Sequence, residues 1–436
     1  MIDYSKNIKT KKREAIFILI FVFFFLLIGV YFNLFFSVIA LTFGTLIFVS
    51  FKFRKFPFFI LHYINPFLIL HFQSFLFWKL LTKQTINIEL SEKYLIVGII
   101  AFFVVNIFYI AFGKFDINKF DIKNIINKKI FLIIKYVSLG ALLFYLYFIS
   151  SSNLFEDKRA IKDFLLQNTI FSYIYALSNF FLICVFYELL LFRNNNKKFF
   201  WLITIYGIIF LFVFLILGER DLLFSFGIAI LFVVFVRSEK FRILPYYLFV
   251  TALIFAGPYS QLFKSALLKN SQTVDLNEIG FLNNGFDDFM TSGLNMERVY
   301  YLNDLKPVDR QMILSDIGNV IDITQNSGNW YNRVFLGRQI GTTGYGFSLP
   351  LTGYMDFGYF GVVFVYLIVS FIIILISKRL SHNLIGLGMI IFMISLISYA
   401  QRQDLAYILN FVVKFILIPY FLLTSKVFVK EDSYSN

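Results

Sequence analysis

Long uninterrupted apolar runs constrain this sequence more than any other feature. Crossing about 30 Å of hydrocarbon takes roughly 20 apolar residues as a helix. Such runs are far longer than the ~10-residue alternating segments of a membrane β-barrel. The sequence therefore predicts an all-α, polytopic integral membrane protein with about 12 transmembrane helices. We place them near 15–32, 34–51, 56–78, 94–113, 130–150, 166–192, 199–217, 221–236, 243–262, 353–376, 384–400 and 405–424.

The composition excludes several classes of protein. Hydrophobic residues make up 59% of the chain and charged residues 15%, whereas a soluble domain is about 25% charged. Too little charge is present to coat a soluble globule, and the hydrophobicity is too high for a disordered chain. Cys184 is the only cysteine, so an intrachain disulfide scaffold is excluded.

The distribution of basic residues predicts the orientation of the spans. With the N-terminus in the cytoplasm, the cytoplasmic segments carry a net charge of +16 and the outer segments −3, out of a total of +14. An excess of Lys and Arg marks the cytoplasmic side, so both termini are predicted to be cytoplasmic. Because topology accounts for the basic balance, we predict no nucleic-acid partner.

The chain divides into four parts. Residues 1–262 form an N-terminal membrane bundle of about nine spans, and 353–424 form about three more before a cytoplasmic tail at 425–436. Between them, residues 263–352 form one large periplasmic loop. Polar loops this long are uncommon without a function, so we expect it to pack over the bundle as a lid or groove wall.

Arginine is unusually frequent on the predicted outer face. Seven of its 15 basic residues are Arg, against 6 of 23 on the cytoplasmic side. The planar guanidinium grips phosphate in bidentate fashion, so this bias points to an outward-facing site for an anionic group such as a lipid-linked phosphate. The seven are Arg159, Arg220, Arg298, Arg310, Arg333, Arg338 and Arg402.

Two of these arginines lie in very short connections between spans. Arg220 joins spans seven and eight, and Arg402 joins spans eleven and twelve. Such turns lie at the membrane–water boundary, where a diphosphate head group would sit. The alternative is that these turns are polar only because they are wet.

A second group of candidates lies near the C-terminal end of the large loop. In NWYNRVFLGR at 329–338, Trp330 could stack on a sugar while Arg333 and Arg338 hold phosphate; the alternative is an amphipathic interfacial helix. Tyr354 and Arg298 are further candidates for substrate binding. Asp356, near the outer end of span ten, is either a general base or an acidic residue favoured by a helix dipole.

Charges within spans need separate explanations. Lys135 and Glu188 lie near cytoplasmic ends, so snorkelling of the side chains explains them. Lys414 lies about ten residues, roughly 15 Å, from either end of span twelve, and we expect it to face the bundle interior or a wet cavity. The sequence has no zinc-ligand cluster, no P-loop and no DxD pair in an outer loop, so we predict no metal and no cofactor.

Three motifs stand out: the turn Gly218-Glu219-Arg220 leading into a span, GYGFSLP at 344–350 and YMDFGYFG at 354–361. Together with the layout of spans over the whole chain, they resemble the Wzy-type O-antigen polymerases, and the residue-level likeness covers some forty positions. The resemblance implies a glycosyltransferase of the bacterial inner membrane with a periplasmic active site. Its donor would be a growing glycan on undecaprenyl diphosphate and its acceptor a single lipid-linked repeat unit. A chain-length regulator protein is a candidate partner.

The resemblance also implies roles for residues and leaves rival functions open. Asp356 is the first candidate for the base, followed by Asp221, Glu219 and Asp404, and the outer arginines would stabilise the leaving diphosphate. An O-antigen ligase of similar architecture is one rival, but ligases typically place a His in the large outer loop, and 263–352 contains none. A repeat-unit flippase and a structural membrane subunit are two further rivals.

Overall fold

The structure is a computed structural model of the whole chain. It describes residues 2–53, 59–81, 88–113, 128–151, 164, 168–217, 220–238, 248, 293–299, 311–321, 323–336, 347–380, 383–399, 401 and 403–424. Within these ranges the regular structure is helical and contains no β-strand. The prediction of an all-α chain is therefore confirmed for the described residues.

Fourteen helices are numbered here in chain order. They are α1 (Ile2–Tyr31), α2 (Phe35–Lys52), α3 (Phe59–Leu81), α4 (Ile88–Phe112), α5 (Lys128–Ser151), α6 (Thr169–Leu191), α7 (Asn196–Leu217), α8 (Arg220–Ser238), α9 (Met312–Asn319), α10 (Ser327–Leu336), α11 (Leu349–Leu380), α12 (Leu384–Tyr399), α13 (Leu405–Phe411) and α14 (Ile418–Leu423). A π-helical stretch, Val412–Leu417, joins α13 to α14, and residues 293–299 form one further short helical segment.

Seven of the described helices are long and apolar enough to cross a membrane. Four shorter apolar helices, within α3, α8, α12 and α13–α14, accompany them. The chain is therefore a membrane-embedded helical protein. The count of twelve spans stays a prediction, because predicted span 243–262 lies outside the described residues apart from residue 248.

Two layers of helices form the bundle. The inner layer contains α4, α6 and α12; α12 packs against α3, α6, α8 and α11, while α4 packs against α1, α3 and α11. The outer helices α1, α2, α5 and α7 expose large apolar side chains such as Phe17, Phe36, Tyr147 and Trp201. Apolar residues on this outer face are the expected contact with lipid.

A sharp break divides α11. Phe357 and Gly358 leave helical geometry, and Gly358 adopts φ 57°, ψ −138°, a conformation open only to glycine. The two parts of the helix pack so closely that a Cβ on Gly353 or Gly361 would overlap the other's carbonyl. The continuous helix therefore starts after the break rather than at residue 353, and its remaining 22 or so residues extend roughly 33 Å.

One ion pair ties three helices together inside the bundle. Lys135 Nζ on α5 lies 2.8 and 2.9 Å from the two carboxylate oxygens of Glu188 on α6. Tyr206 on α7 donates its hydroxyl to the same carboxylate. The prediction that snorkelling explains these two charges was wrong, because the side chains are mostly buried and each is neutralised by the other. We call these three residues the ion-pair cluster.

Candidate functional site

The described helices of the large loop are fixed to the bundle by carboxylates, the first of which is Asp356. Its Oδ1 accepts the backbone N–H of Met312 at 2.7 Å, and its Oδ2 accepts that of Ile313 at 2.8 Å. These are the first two residues of α9. Asp356 therefore does bind a helix N-terminus, but the helix is α9 of the loop and not its own span.

Two further carboxylates, Asp316 and Asp404, join the loop to the start of α13. Asp316 on α9 accepts the N–H groups of Ser327 (2.7 Å) and Leu405 (3.1 Å). Asp404 caps α13 by accepting the N–H of Tyr407 (2.8 Å) and also accepts that of Gly328 (2.8 Å). Each of the two therefore connects α10 with α13.

We call Asp316, Asp356 and Asp404 the acidic anchor. Together they accept six backbone N–H groups at the starts of α9, α10 and α13. The first N–H groups of a helix have no partner within it and carry partial positive charge, so a carboxylate is favoured there. The anchor thus fixes the loop helices α9 and α10 to the N-terminal parts of α11 and α13.

Burial has the largest effect on the electrostatics of Asp316 within the anchor. Asp316 is 0% exposed, and burial, followed by the charge of Asp404, raises its pKa well above its usual range. The N–H donors from Ser327 and Ala406 act in the opposite direction. Asp316 is therefore protonated more readily than an ordinary aspartate.

Arg298 belongs to a second polar network on the loop. Its Nη1 lies 3.5 Å from Asn295 Oδ1, which accepts the hydroxyl of Tyr331 at 2.9 Å. Asn295 in turn donates to the carbonyl of Phe347 at 2.8 Å. Burial raises the pKa of Tyr331, against the effect of Arg298. The network connects the 293–299 helix, α10 and the start of α11.

Helix α10 separates its aromatic residues from its arginine. Trp330 and Tyr331 are buried, at 1% and 0% exposure, whereas Arg333 is exposed. This is the geometry of an amphipathic helix, and it leaves no open face of Trp330 for stacking on a sugar. Arg333 has no ion pair or hydrogen bond with any described residue.

Arg220 begins α8, and the packing of α8 shows at which end of the bundle it lies. Ser225, one and a half turns into α8, donates to Ser395 near the end of α12 at 2.8 Å. The end of α12 leads into the 401–404 turn that carries Asp404. Arg220 and the acidic anchor therefore lie at the same end. The remaining outer arginines Arg159, Arg310, Arg338 and Arg402, like Glu219, lie outside the described residues.

Two other candidates have defined positions. Tyr354 is half-buried and packs edge-to-face on Tyr359, with ring centroids 5.5 Å apart. Lys414 is exposed, within the π-helical stretch. We expected Lys414 to face the bundle interior or a wet cavity; its exposure excludes the packed interior, and the wet cavity stays a prediction. Neighbouring Asn410 faces the loop and donates to Asn319 at 3.1 Å.

Sequence reasoning missed Asp316, which is the most buried acid of the anchor. One signal was present: Met312, Ile313 and Asp316 share a helical face at spacings of three and four, and all three are buried. A carboxylate on the apolar face of an amphipathic helix has to find donors from another element.

The described residues contain no group of three or more His, Cys, Asp or Glu side chains arranged to hold a metal. What they contain at this end of the bundle is a fixed platform of loop helices that presents arginine. Comparison of the chain with protein-family models, with curated proteins and with solved structures finds no match.

Proposed function

We propose that the chain is an integral membrane glycosyltransferase that polymerises undecaprenyl-diphosphate-linked oligosaccharide repeat units on the periplasmic face of a bacterial inner membrane. The observation that carries this proposal is the acidic anchor. It fixes α10, with the exposed Arg333, at the end of the bundle where α8 begins with Arg220. A lipid-linked diphosphate would be held at that boundary, between the bilayer and the loop.

The proposed reaction needs charge stabilisation more than a bound metal. The terminal hydroxyl of the acceptor repeat attacks the anomeric carbon of the donor, and the bond from that carbon to the diphosphate oxygen breaks. Negative charge builds on the leaving undecaprenyl diphosphate, where Arg333 and Arg220 would stabilise it. The hydroxyl proton passes to a nearby base.

Asp356 remains the first candidate for that base, with a restriction. Both of its oxygens accept backbone N–H groups, although a carboxylate has about four lone-pair sites and two remain. Accepting a proton would weaken its hold on α9, so catalysis and attachment of the loop would be coupled. Asp221, Glu219 and Asp404 stay behind it as candidates.

Complementation of a deletion strain, with surface polysaccharide resolved on a gel, tests the proposal. We expect Arg333→Ala and Arg220→Ala to abolish the ladder of repeats while a core-plus-one-repeat band survives. Arg333→Lys should rescue poorly, since Lys lacks the bidentate fork. The matched control is Arg379→Ala, which alters an exposed arginine in the last turn of α11 and should leave the ladder intact.

Two results would contradict the proposal. Loss of every repeat-bearing band in the deletion strain would indicate a ligase or a flippase. A full ladder from both alanine variants, at normal protein levels, would refute the role of the arginines.

A further inference from the structure

We call the segment from Gln311 to Asn326 the loop hairpin. Its distribution of polar and apolar side chains is the reverse of that expected for a loop in water. Two of its polar side chains face the protein: Asp316 binds Leu405 N–H, and Asn319 accepts from Asn410. Apart from Gln311 at its base, its exposed side chains among the described residues are apolar. They are Leu314 (62% exposed), Ile317 (43%), Ile321 (68%) and Ile323 (73%). A water-facing helix places these two classes of residue the other way round.

The hairpin runs alongside α13, the start of predicted span twelve, and away from the 401–404 turn. Asp316 contacts Leu405 at the start of α13, and Asn319, three residues later, contacts Asn410, five residues further along the span. Helix α9 therefore runs in the same direction as α13. The chain then returns, because Ser327 N–H binds Asp316 and Gly328 N–H binds Asp404. The described residues of the tip, 319–321 and 323–324, lie roughly 9 Å along α13 from the 401–404 turn by helical rise.

The tip pairs several of its own polar groups, as a segment in lipid must. The N–H groups of Ile321 and Ile323 bind the carbonyl of Gly318. Asn319 donates to the carbonyl of Thr324 at 2.7 Å, and the hydroxyl of Thr324 bonds to the carbonyl of Ser315.

The neighbouring surface of the span has the same character. Tyr407, Ile418 and Phe421 are exposed along α13 and α14. Lys414 is exposed between them and is the only charged residue in the described part of this segment. Asn410, three residues after Tyr407, bonds to Asn319, so the hairpin adjoins this mainly apolar exposed surface.

We propose that the loop hairpin is a re-entrant element inserted into the outer boundary of the bilayer, with Leu314, Ile317, Ile321 and Ile323 in contact with lipid acyl chains. The sequence places a carboxylate, Asp322, between the two tip isoleucines. A charge at the bilayer centre is costly, so the tip belongs at the boundary between head groups and acyl chains. The proposal does not depend on the reaction proposed above.

Fluorescent labelling of single cysteines tests this insertion. Cys184 is the only native cysteine, so Cys184→Ser gives a cysteine-free background. Leu314→Cys, Ile321→Cys and Ile323→Cys would carry an environment-sensitive fluorophore in vesicles that contain lipids with nitroxide-labelled chains. The matched control is Gln311→Cys, an exposed polar position at the base of the same hairpin.

We expect blue-shifted emission and quenching by the nitroxide lipids at positions 314, 321 and 323, but not at 311. A charged thiol reagent should react on the order of tenfold more slowly at 321 than at 311, because hydrocarbon excludes charge. Equal reactivity without quenching would place the hairpin in water. Protection without quenching would mean that protein, such as a second copy of the chain, covers the face. Either result overturns the proposal, and monodisperse gel filtration of each variant verifies folding.

Discussion

The ion-pair cluster and the acidic anchor solve the same problem, a buried charge, in opposite ways. In the cluster, Glu188 is neutralised by Lys135, a side chain of opposite sign from another helix. In the anchor, Asp316 and Asp404 are both acidic, and each is held by two backbone N–H groups. The first arrangement needs a complementary side chain, whereas the second needs helix N-termini.

This difference determines what each arrangement can tolerate. Both members of an ion pair can be replaced together, since the charges disappear together. Backbone N–H groups cannot be removed by substitution, so loss of a carboxylate leaves buried donors without acceptors. The anchor is therefore a stricter constraint on the sequence and suits a part of the molecule whose geometry has to be preserved.

The largest expected effect follows from removing two carboxylates of the anchor. Asp316→Ala with Asp404→Ala leaves four N–H donors unsatisfied at about 1–3 kcal/mol each, so we expect a loss of about 4 kcal/mol or more. The double variant should cost at least the sum of the single ones, because each single variant already relieves the repulsion between the two carboxylates. Thermal unfolding in detergent, with proteolysis of the loop as a local readout, measures this. If the double variant loses less stability than the two single variants together, the backbone N–H groups are not what the two carboxylates hold.

The ion-pair cluster should show coupling of the opposite sign. Lys135→Met leaves Glu188 buried and unpaired, which costs about 3–5 kcal/mol. Adding Glu188→Met should recover most of this loss, because replacing a whole buried pair is often neutral. The control is Lys52→Met, which breaks the exposed pair between Lys52 and Glu14 at 3.4 Å and should cost about 1 kcal/mol or less. If the double methionine variant is no better than Lys135→Met alone, the comparison between the two clusters fails.

The two clusters also mark the limit of prediction from the sequence. The long apolar helices follow from runs that are local in the chain, and those that the structure describes lie where the runs predict them. Lys135 and Glu188 are 53 positions apart, and Asp316 and Leu405 are 89 apart, so their contacts depend on how helices pack. Asp356 was identified as a candidate, but the donors that it binds lie in a loop helix whose position no periodicity reveals. The broken start of α11 was hidden for the same reason, although its three glycines were visible.

The smallest expected effect is a pH dependence carried by Asp316. Its pKa is raised by burial and by Asp404, so between the ordinary aspartate value of about 4 and the raised value the folded chain binds more protons than the unfolded one. Stability should therefore fall as pH rises through this window, by at most about 1.4 kcal/mol per pH unit. Asp404→Asn removes the neighbouring charge and should therefore reduce the dependence of stability on pH, even though it lowers the stability at every pH. Melting temperatures of the wild type, Asp404→Asn and Asp316→Asn across this range separate the effect of burial from that of the Asp404 charge.

If melting temperature varies equally with pH in all three proteins, the proton is not bound at Asp316. If only Asp316→Asn reduces the pH dependence, burial alone raises the pKa of Asp316, and repulsion from Asp404 contributes nothing.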